Sequence, residues 1–123
     1  MMSEETRLSC TTTAFTALRS ANINKQVIHV NRIFIGTYPI SEHPEAKITL
    51  HKLDNALIEL EEESNTLETS AQILLSCVKE NDLVHAYITL GSGAKLLKRA
   101  DDKLDECRKL YDEAIGYLEE EKV

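Results

Sequence analysis

The sequence is poor in turn-forming and aromatic residues. It has four Gly, two Pro, no Trp, two Phe and four Tyr. An all-β domain with many short strands needs frequent turn signals, so this composition argues against one. The abundance of Leu, Ala, Glu and Lys instead favours long helices.

Cysteines are also few, and no pair of them is closely spaced. The three thiols are Cys10, Cys77 and Cys107, and no CxxC motif occurs. An odd number at wide spacing excludes a zinc ribbon and a disulfide framework. The polar N-terminus lacks a secretory signal, and no apolar run approaches the ~20 residues that cross a bilayer. We therefore expect an intracellular, cytoplasmic protein with reduced cysteines.

Positive charge is scarce relative to negative charge. The net charge is −7, made up of +1 in residues 1–44 and −8 in residues 45–123. Nucleic-acid binding needs clustered Lys and Arg that release counterions, and anionic membranes need the same chemistry. We expect neither as a partner. A basic partner stays possible, although the acidic residues also fit a solvated surface that keeps the chain soluble.

The clearest pattern lies in residues 50–78. Apolar or small residues recur there at alternating steps of three and four, which is an unbroken heptad. Only Ser64 is polar among its members, which are Leu50, Leu53, Leu57, Leu60, Ser64, Leu67, Ala71, Leu74 and Val78. Pro44 suits a first helical position because its missing N–H has no partner there in any case. The pattern predicts a long helix over 45–80.

A second heptad follows a break at residues 80–82, where Asp82 is a good N-cap. Its seam positions are Leu83, Tyr87, Leu90, Ala94, Leu97, Asp101, Leu104, Arg108, Tyr111, Ile115 and Leu118, with Ala100, Cys107 and Ala114 widening the stripe on one side. It predicts a long helix over 82–120 that returns antiparallel to the first. Folding about residue 81 sets Ser64 level with Asp101, which predicts a matched polar layer. Arg108 is expected to reach towards Glu59 or Glu61.

Residues 86–97 (AYITLGSGAKLL) leave the second helix open to other interpretations. Gly91 and Gly93 each cost roughly 1 kcal/mol in a helix relative to Ala. An uninterrupted or kinked helix is favoured. The alternatives are a local β-hairpin, since Tyr87–Leu90 is β-prone, and a break at 91–93 with a new helix capped by Ser92.

The N-terminal third is predicted to cover one side of the hairpin. Helically spaced apolar residues indicate one or two helices within 1–35: Phe15, Leu18, Ile23, Val27, Val30 and Phe34. Cys10 is expected in a frayed terminus, and residues 36–44 (GTYPISEHP) form a loop. The fold class is therefore all-α: a long, coiled-coil-like antiparallel hairpin with one or two N-terminal helices packed on it, giving a three- to four-helix bundle. Residues 1–123 are expected to form a single domain.

No constellation of residues indicates catalysis. His51 with Asp54 and His85 with Asp82 are each three residues apart, but they fall at opposite ends of the hairpin, and HExxH is absent. A Cys77–His85 pair is geometrically possible, yet buried small hydrophobes fit both cysteines better. The segment LGSGAK lacks P-loop spacing, and LVHAYITLGSG lacks the HxxKG pattern of histidine phosphotransfer helices. We predict a non-enzyme with no metal, no cofactor and no small-molecule substrate.

Three segments resemble known families. AYITLGSGAKLLKRADDKLDECRKL resembles the strand-to-helix return of a prefoldin β-type subunit, which implies a chaperone that grips clients. YITLG with CRKLYDEAI resembles one tetratricopeptide repeat, which implies a chaperone-associated helix pair. LDNALIELEEESNTLE is similar to the small subunit of exonuclease VII, which implies an accessory subunit. Each resemblance covers less than half of the chain.

The expected function is therefore a non-catalytic protein–protein interaction module: an adaptor, an assembly subunit or a small chaperone. The alternative is a helical accessory subunit of an enzyme complex, or a prefoldin-like or tetratricopeptide-like chaperone component. The partner is another protein or a second copy of the chain, so a homodimer is possible. The predicted contact residues are apolar side chains outside the seams: Ile58, Ile73, Leu75, Ile88, Leu96 and Tyr117.

Overall fold

Three long helices make up the fold in a computed structural model that describes residues 1–119. Helix α1 spans Glu4–Thr37, α2 spans Lys47–Glu80 and α3 spans Leu83–Glu119, with a 3-10 turn at Pro44–Ala46 before α2. The prediction of an all-α bundle is confirmed, and the N-terminal third supplies one helix. The predicted end of the second long helix at residue 120 lies outside the described residues.

The ends of the helices are defined by local hydrogen bonds. The Ser3 hydroxyl accepts a hydrogen bond from the Thr6 N–H at 3.1 Å and caps α1. Asn81 adopts φ 57°, a left-handed conformation that Asn tolerates well, and it ends α2. The Asp82 carboxylate then accepts a hydrogen bond from the His85 N–H at 3.2 Å. A two-residue reversal therefore separates α2 from α3 and holds them antiparallel.

Helix α2 is central, because α1 and α3 both pack along it and contact each other little. Its buried face is the heptad found in the sequence, and Leu53, Leu57 and Leu60 are fully buried. Ion pairs fix the relative positions of the helices: Lys25 with Glu68 at 2.6 Å, Arg32 with Glu61 at 2.9 Å, and Lys103 with Glu59. These pairs give α2 a charged margin on each side of its apolar face.

Helix α3 is rotated relative to the predicted seam. Its buried residues are the small ones, Ala86, Ala100, Cys107 and Ala114, while the leucines of the predicted seam lie at the margin. Small side chains facing α2 leave space for the leucines that α2 contributes, which accounts for the rotation. The predicted polar layer is consequently wrong, because Asp101 is exposed and the Ser64 hydroxyl is buried without a hydrogen-bond partner. Arg108 pairs with Asp105 at 3.8 Å instead of reaching α2.

Apart from Ile28, helix α1 also buries small or polar residues and leaves large apolar ones exposed. Phe15, Ile23 and Val30 of the predicted stripe are exposed. The buried face is made of Cys10, Ala14, Ala21, Asn24, Ile28 and Asn31. Cys10 is fully buried within the helix, so the expectation of a frayed terminus is wrong. As on α3, small residues are the ones that fit against the leucines of α2.

Helix α3 continues through Gly91 and Gly93 without interruption. The alternatives of a β-hairpin and of a break at 91–93 are therefore wrong. The prefoldin-like segment would require strand structure here, and a tetratricopeptide repeat would require a turn between Tyr87 and Ala114. Neither occurs, because both residues lie in one helix. Intact helical hydrogen bonding on both sides of the glycines outweighs their unfavourable propensity.

The end of the bundle opposite the α2–α3 turn is closed by aromatic residues. The Tyr38 hydroxyl donates a hydrogen bond to the Ala114 carbonyl at 2.8 Å, which links the loop after α1 to α3. The Phe34 ring lies 5.5 Å from Tyr38 and 4.6 Å from Tyr111 between ring centroids. Burial raises the pKa of the Tyr38 hydroxyl, so it stays protonated and remains a donor.

Candidate interaction surfaces

The two histidines considered as metal ligands, His85 and His51, each form a local hydrogen bond. His85 bonds through its ring to the Asp82 carboxylate at 2.6 Å, beside the cap of α3. His51 contacts Asn55 on the next turn of its own helix. Within residues 1–119, no three His, Cys, Asp or Glu side chains are arranged to hold a metal ion. His85 also lowers the pKa of Asp82 through two hydrogen bonds, from its backbone N–H and its ring, and this favours a charged cap.

The cysteines are built into the core. Cys10, Cys77 and Cys107 are all free and buried. Burial raises the pKa of the Cys77 thiol and raises that of Cys107 to about 11. A nucleophilic cysteine requires the opposite shift, because the thiolate is the reactive form. The arrangement is that of small hydrophobic residues filling space between helices.

A band without charged side chains surrounds the bundle near the α2–α3 turn. Residues 8–18 of α1, 69–78 of α2 and 83–94 of α3 contain no Asp, Glu, Lys or Arg, although 28% of the whole chain is charged. One cluster of buried side chains brings these segments together, since it contains Ala14 of α1, Leu74 of α2 and Ala86 of α3. At 1.5 Å per helical residue, this uncharged collar is ~15 Å tall. Its exposed apolar side chains are Leu8, Phe15, Ile73, Leu83, Val84, Tyr87 and Ile88.

The collar includes a groove between α2 and α3 on the side away from α1, which we call the outer groove. It consists of two adjoining shallow cavities of about 420 and 450 Å³ that share Thr69, Ile73 and Thr89. Ile88 lies at one end and Leu96 at the other. Its polar lining is mostly hydroxyl groups, which bind a partner without a large desolvation cost. The groove therefore offers apolar contact flanked mainly by neutral polar groups, with Glu80 and Asp82 at the end nearest the α2–α3 turn.

A second groove runs between α1 and α3, over the face of α2. Near the α2–α3 turn it has a volume of about 410 Å³, with Leu67, Ala71 and Leu74 of α2 at its base. Ala17 and Ala94 are among the residues of its two walls. Further along, a cavity of about 230 Å³ lies between the same two helices. Its lining residues are Val27, Val30, Asn31, Cys107, Arg108, Tyr111 and Asp112.

The structure separates the six predicted contact residues into three groups. Ile73, Ile88 and Leu96 come together along the outer groove. Leu75 and Tyr117 are partly buried against core clusters, so they stabilise the bundle and do not present a free surface. Ile58 is half-exposed on α2, away from the others.

The reasoning from seams missed several exposed residues of the collar. Phe15, Val84 and Tyr87 are each more than half exposed. The missing signal was the distribution of charge along the chain. Three separate windows without charged residues were visible in the sequence, and the hairpin register sets two of them at the same level.

None of the described helices is both long and apolar enough to span a membrane. Comparison of the chain with protein-family models, with curated protein sequences and with solved structures gave no match.

Proposed function

We propose that this chain is a non-catalytic protein–protein interaction module that binds a partner protein through its uncharged collar. The observation that carries the proposal is the absence of charge around all three helices at one level, combined with exposed apolar side chains. Exposed apolar residues scattered singly are ordinary on a protein surface, whereas a cluster of them with no charged residue between them is typical of an interaction site.

The outer groove is the centre of this surface. Ile73 and Ile88 are 49% and 65% exposed, and they lie on the two helices that form the groove. A partner that covers them gains roughly 25 cal/mol for each Å² of apolar surface removed from water. Threonine and serine hydroxyls around them can form hydrogen bonds with the partner's backbone. Such a surface fits an apolar segment of a partner, for example one face of an amphipathic helix.

The distribution of charge predicts how the binding affinity should depend on salt. Acidic side chains of α2 already pair with Lys25, Arg32 and Lys103 below the collar. The collar segments themselves carry no Asp, Glu, Lys or Arg, although Glu80 and Asp82 lie at the end of the outer groove nearest the α2–α3 turn. The affinity should therefore change little with salt, whereas a partner held by the acidic surface would be released by salt.

The test compares two substitutions of similarly exposed isoleucines. Ile88→Lys places a charge in the collar, while Ile48→Lys places one near the start of α2, where Ile48 is 70% exposed. The parent chain, used as bait in extracts of the cells that express it, should retain a partner in both low and high salt. That partner, purified and measured by calorimetry, should bind Ile88→Lys at least about tenfold more weakly, which corresponds to ~1.4 kcal/mol.

Ile48→Lys should bind that partner as the parent does. Equal binding of parent and Ile88→Lys, or release of the partner by salt alone, would contradict the proposal.

A further inference from the structure

The face that α1 and α3 form together has few charged residues, and those that line its groove are Arg108 and Asp112. Residues seven apart along a helix lie nearly above one another and form a line. On α1, one such line beside the groove passes through Thr13 and Val27, and another passes through Thr16 and Val30. No charged residue lies on either line. On α3, the line nearest α1 is made of Leu83, Leu90, Leu97, Leu104, Tyr111 and Leu118. The face therefore extends well beyond the collar.

Within residues 1–119, the next line of α3 outward contains the two charged residues of these four lines. It consists of Tyr87, Ala94, Asp101, Arg108 and Ile115, each seven residues from the next. Ala94 and Arg108 both line the α1–α3 groove, which places this line at its edge. Arg108 and its neighbour Asp105 have side chains that are 67% and 65% exposed and only 3.8 Å apart, a weak surface pair. Asp101 is exposed as well.

The residues of this line are complementary to the same line of a second copy that runs in the opposite direction. A two-fold axis between positions 104 and 105 sets Asp101 opposite Arg108 of the second copy and Arg108 opposite Asp101 of the second copy. The same axis sets the small Ala94 opposite the large Ile115. In a two-fold interface every such match occurs twice, because residue i contacts j and j contacts i. One axis thus satisfies both the charges and the side-chain sizes.

The size of the face fits a stable dimer. About 30 residues of α3 overlap in this arrangement, which gives a length of roughly 45 Å. Two neighbouring helices present a width of roughly 15–18 Å, so each copy buries about 700–800 Å². Specific protein complexes of standard size bury about 800 Å² per partner.

We infer that the chain forms an antiparallel homodimer through its α1–α3 face, with the two-fold axis at positions 104–105 of α3. The outer groove lies on the other side of α3 and stays open in this dimer. The inference does not rest on the proposed function, since dimerisation through one face and partner binding through the other are measured separately.

A charge exchange tests the reciprocal pairing. Asp101→Arg and Arg108→Asp each set like charges opposite one another twice, and both positions are exposed, so the fold should tolerate them. We expect a dimer for the parent by sedimentation equilibrium, and a dissociation constant at least about tenfold higher for each single variant, because juxtaposed like charges are strongly unfavourable at an interface. The variant carrying both substitutions restores opposite charges and should return to within about threefold of the parent.

Disulfide formation tests the geometry. Positions 94 and 115 are ~31 Å apart along one helix, so they cannot bridge within a chain. A chain with both Ala94→Cys and Ile115→Cys should form a covalent dimer under mild oxidation, whereas Ala94→Cys alone should not. The natural cysteines are buried and do not compete.

A parent that stays monomeric at every concentration would overturn the inference. So would a double charge variant that remains as dissociated as the single ones, or a covalent dimer of Ala94→Cys alone. The last result would indicate that the two collars pack on each other instead.

Discussion

Leu60 illustrates how much of the stability of the bundle depends on single side chains of α2. It is fully buried and belongs to the cluster that also holds Leu57 and Cys107. Leu60→Ala should lower the free energy of unfolding by roughly 2–4 kcal/mol, because it removes apolar contacts and leaves a cavity. Urea denaturation followed by far-UV circular dichroism measures the change.

The matched control is Ile58→Ala, two residues away on the same helix. Ile58 is 45% exposed, so its truncation should change the free energy of unfolding by less than about 1 kcal/mol. Equal losses for the two variants would contradict the assignment of the α2 seam.

For single residues, the sequence predicted well which side chains of α2 are buried, but it predicted those of α1 and α3 poorly. The α2 seam consists of leucines, and large aliphatic residues at heptad spacing have few alternatives to burial. Apart from Ile28, the buried residues of α1 are small or polar, such as Ala14 and Asn24, while Phe15 is exposed. A pattern search that weights residues by hydrophobic size selects Phe15. What decides otherwise is the space left beside the α2 leucines, which the sequence of α1 does not contain.

Among the helices, α3 contains an identifiable weak point. Gly91 is exposed in the helix interior, and a Cβ built there meets no atom within 4 Å. Gly91→Ala should therefore raise the free energy of unfolding by about 0.5–1 kcal/mol, since it reduces the conformational entropy of the unfolded chain at no steric cost. Thermal unfolding measured by calorimetry should show a higher midpoint. An unchanged or lower midpoint would mean that the native helix is strained at this position.

Helix type and extent were largely predictable for α2 and α3, because heptads and caps act locally. Asp82 was predicted to cap α3 and does so. The rotation of α3 about its axis was not predictable in the same way. It depends on which of two adjacent stripes faces α2, and the line of Ala86, Ala100, Cys107 and Ala114 fits closest to the leucines. The six predicted contact residues met the same difficulty, since Ile73 and Ile88 are exposed whereas Leu75 is partly buried against the core.

For the molecule as a whole, the buried thiols predict a loss of stability at alkaline pH. The pKa of Cys107 rises from the ordinary 9.0 to about 11 in the folded chain, mainly through burial. Above pH 9 the unfolded chain loses this proton while the folded chain keeps it. The free energy of unfolding should therefore fall as pH rises from about 9 to about 11.

Urea denaturation on either side of pH 9 measures this dependence. Tyr and Lys side chains titrate in the same range, so the comparison is with Cys107→Ala, which places alanine where the same line already has Ala100 and Ala114. The alkaline decline should be smaller in this variant. An identical decline in both proteins would exclude a contribution from Cys107.

The two connections between the helices differ in length, and this difference favours one order of opening. Helix α2 packs on α1 and on α3 to a similar extent, but only two residues connect α2 to α3, whereas residues 38–46 connect α1 to α2. Helix α1 can therefore detach as one cooperative unit while the α2–α3 hairpin persists. Its amide hydrogens will exchange with solvent together, ahead of those in the hairpin. Each opening will briefly present the leucine face of α2 to any other chain within reach.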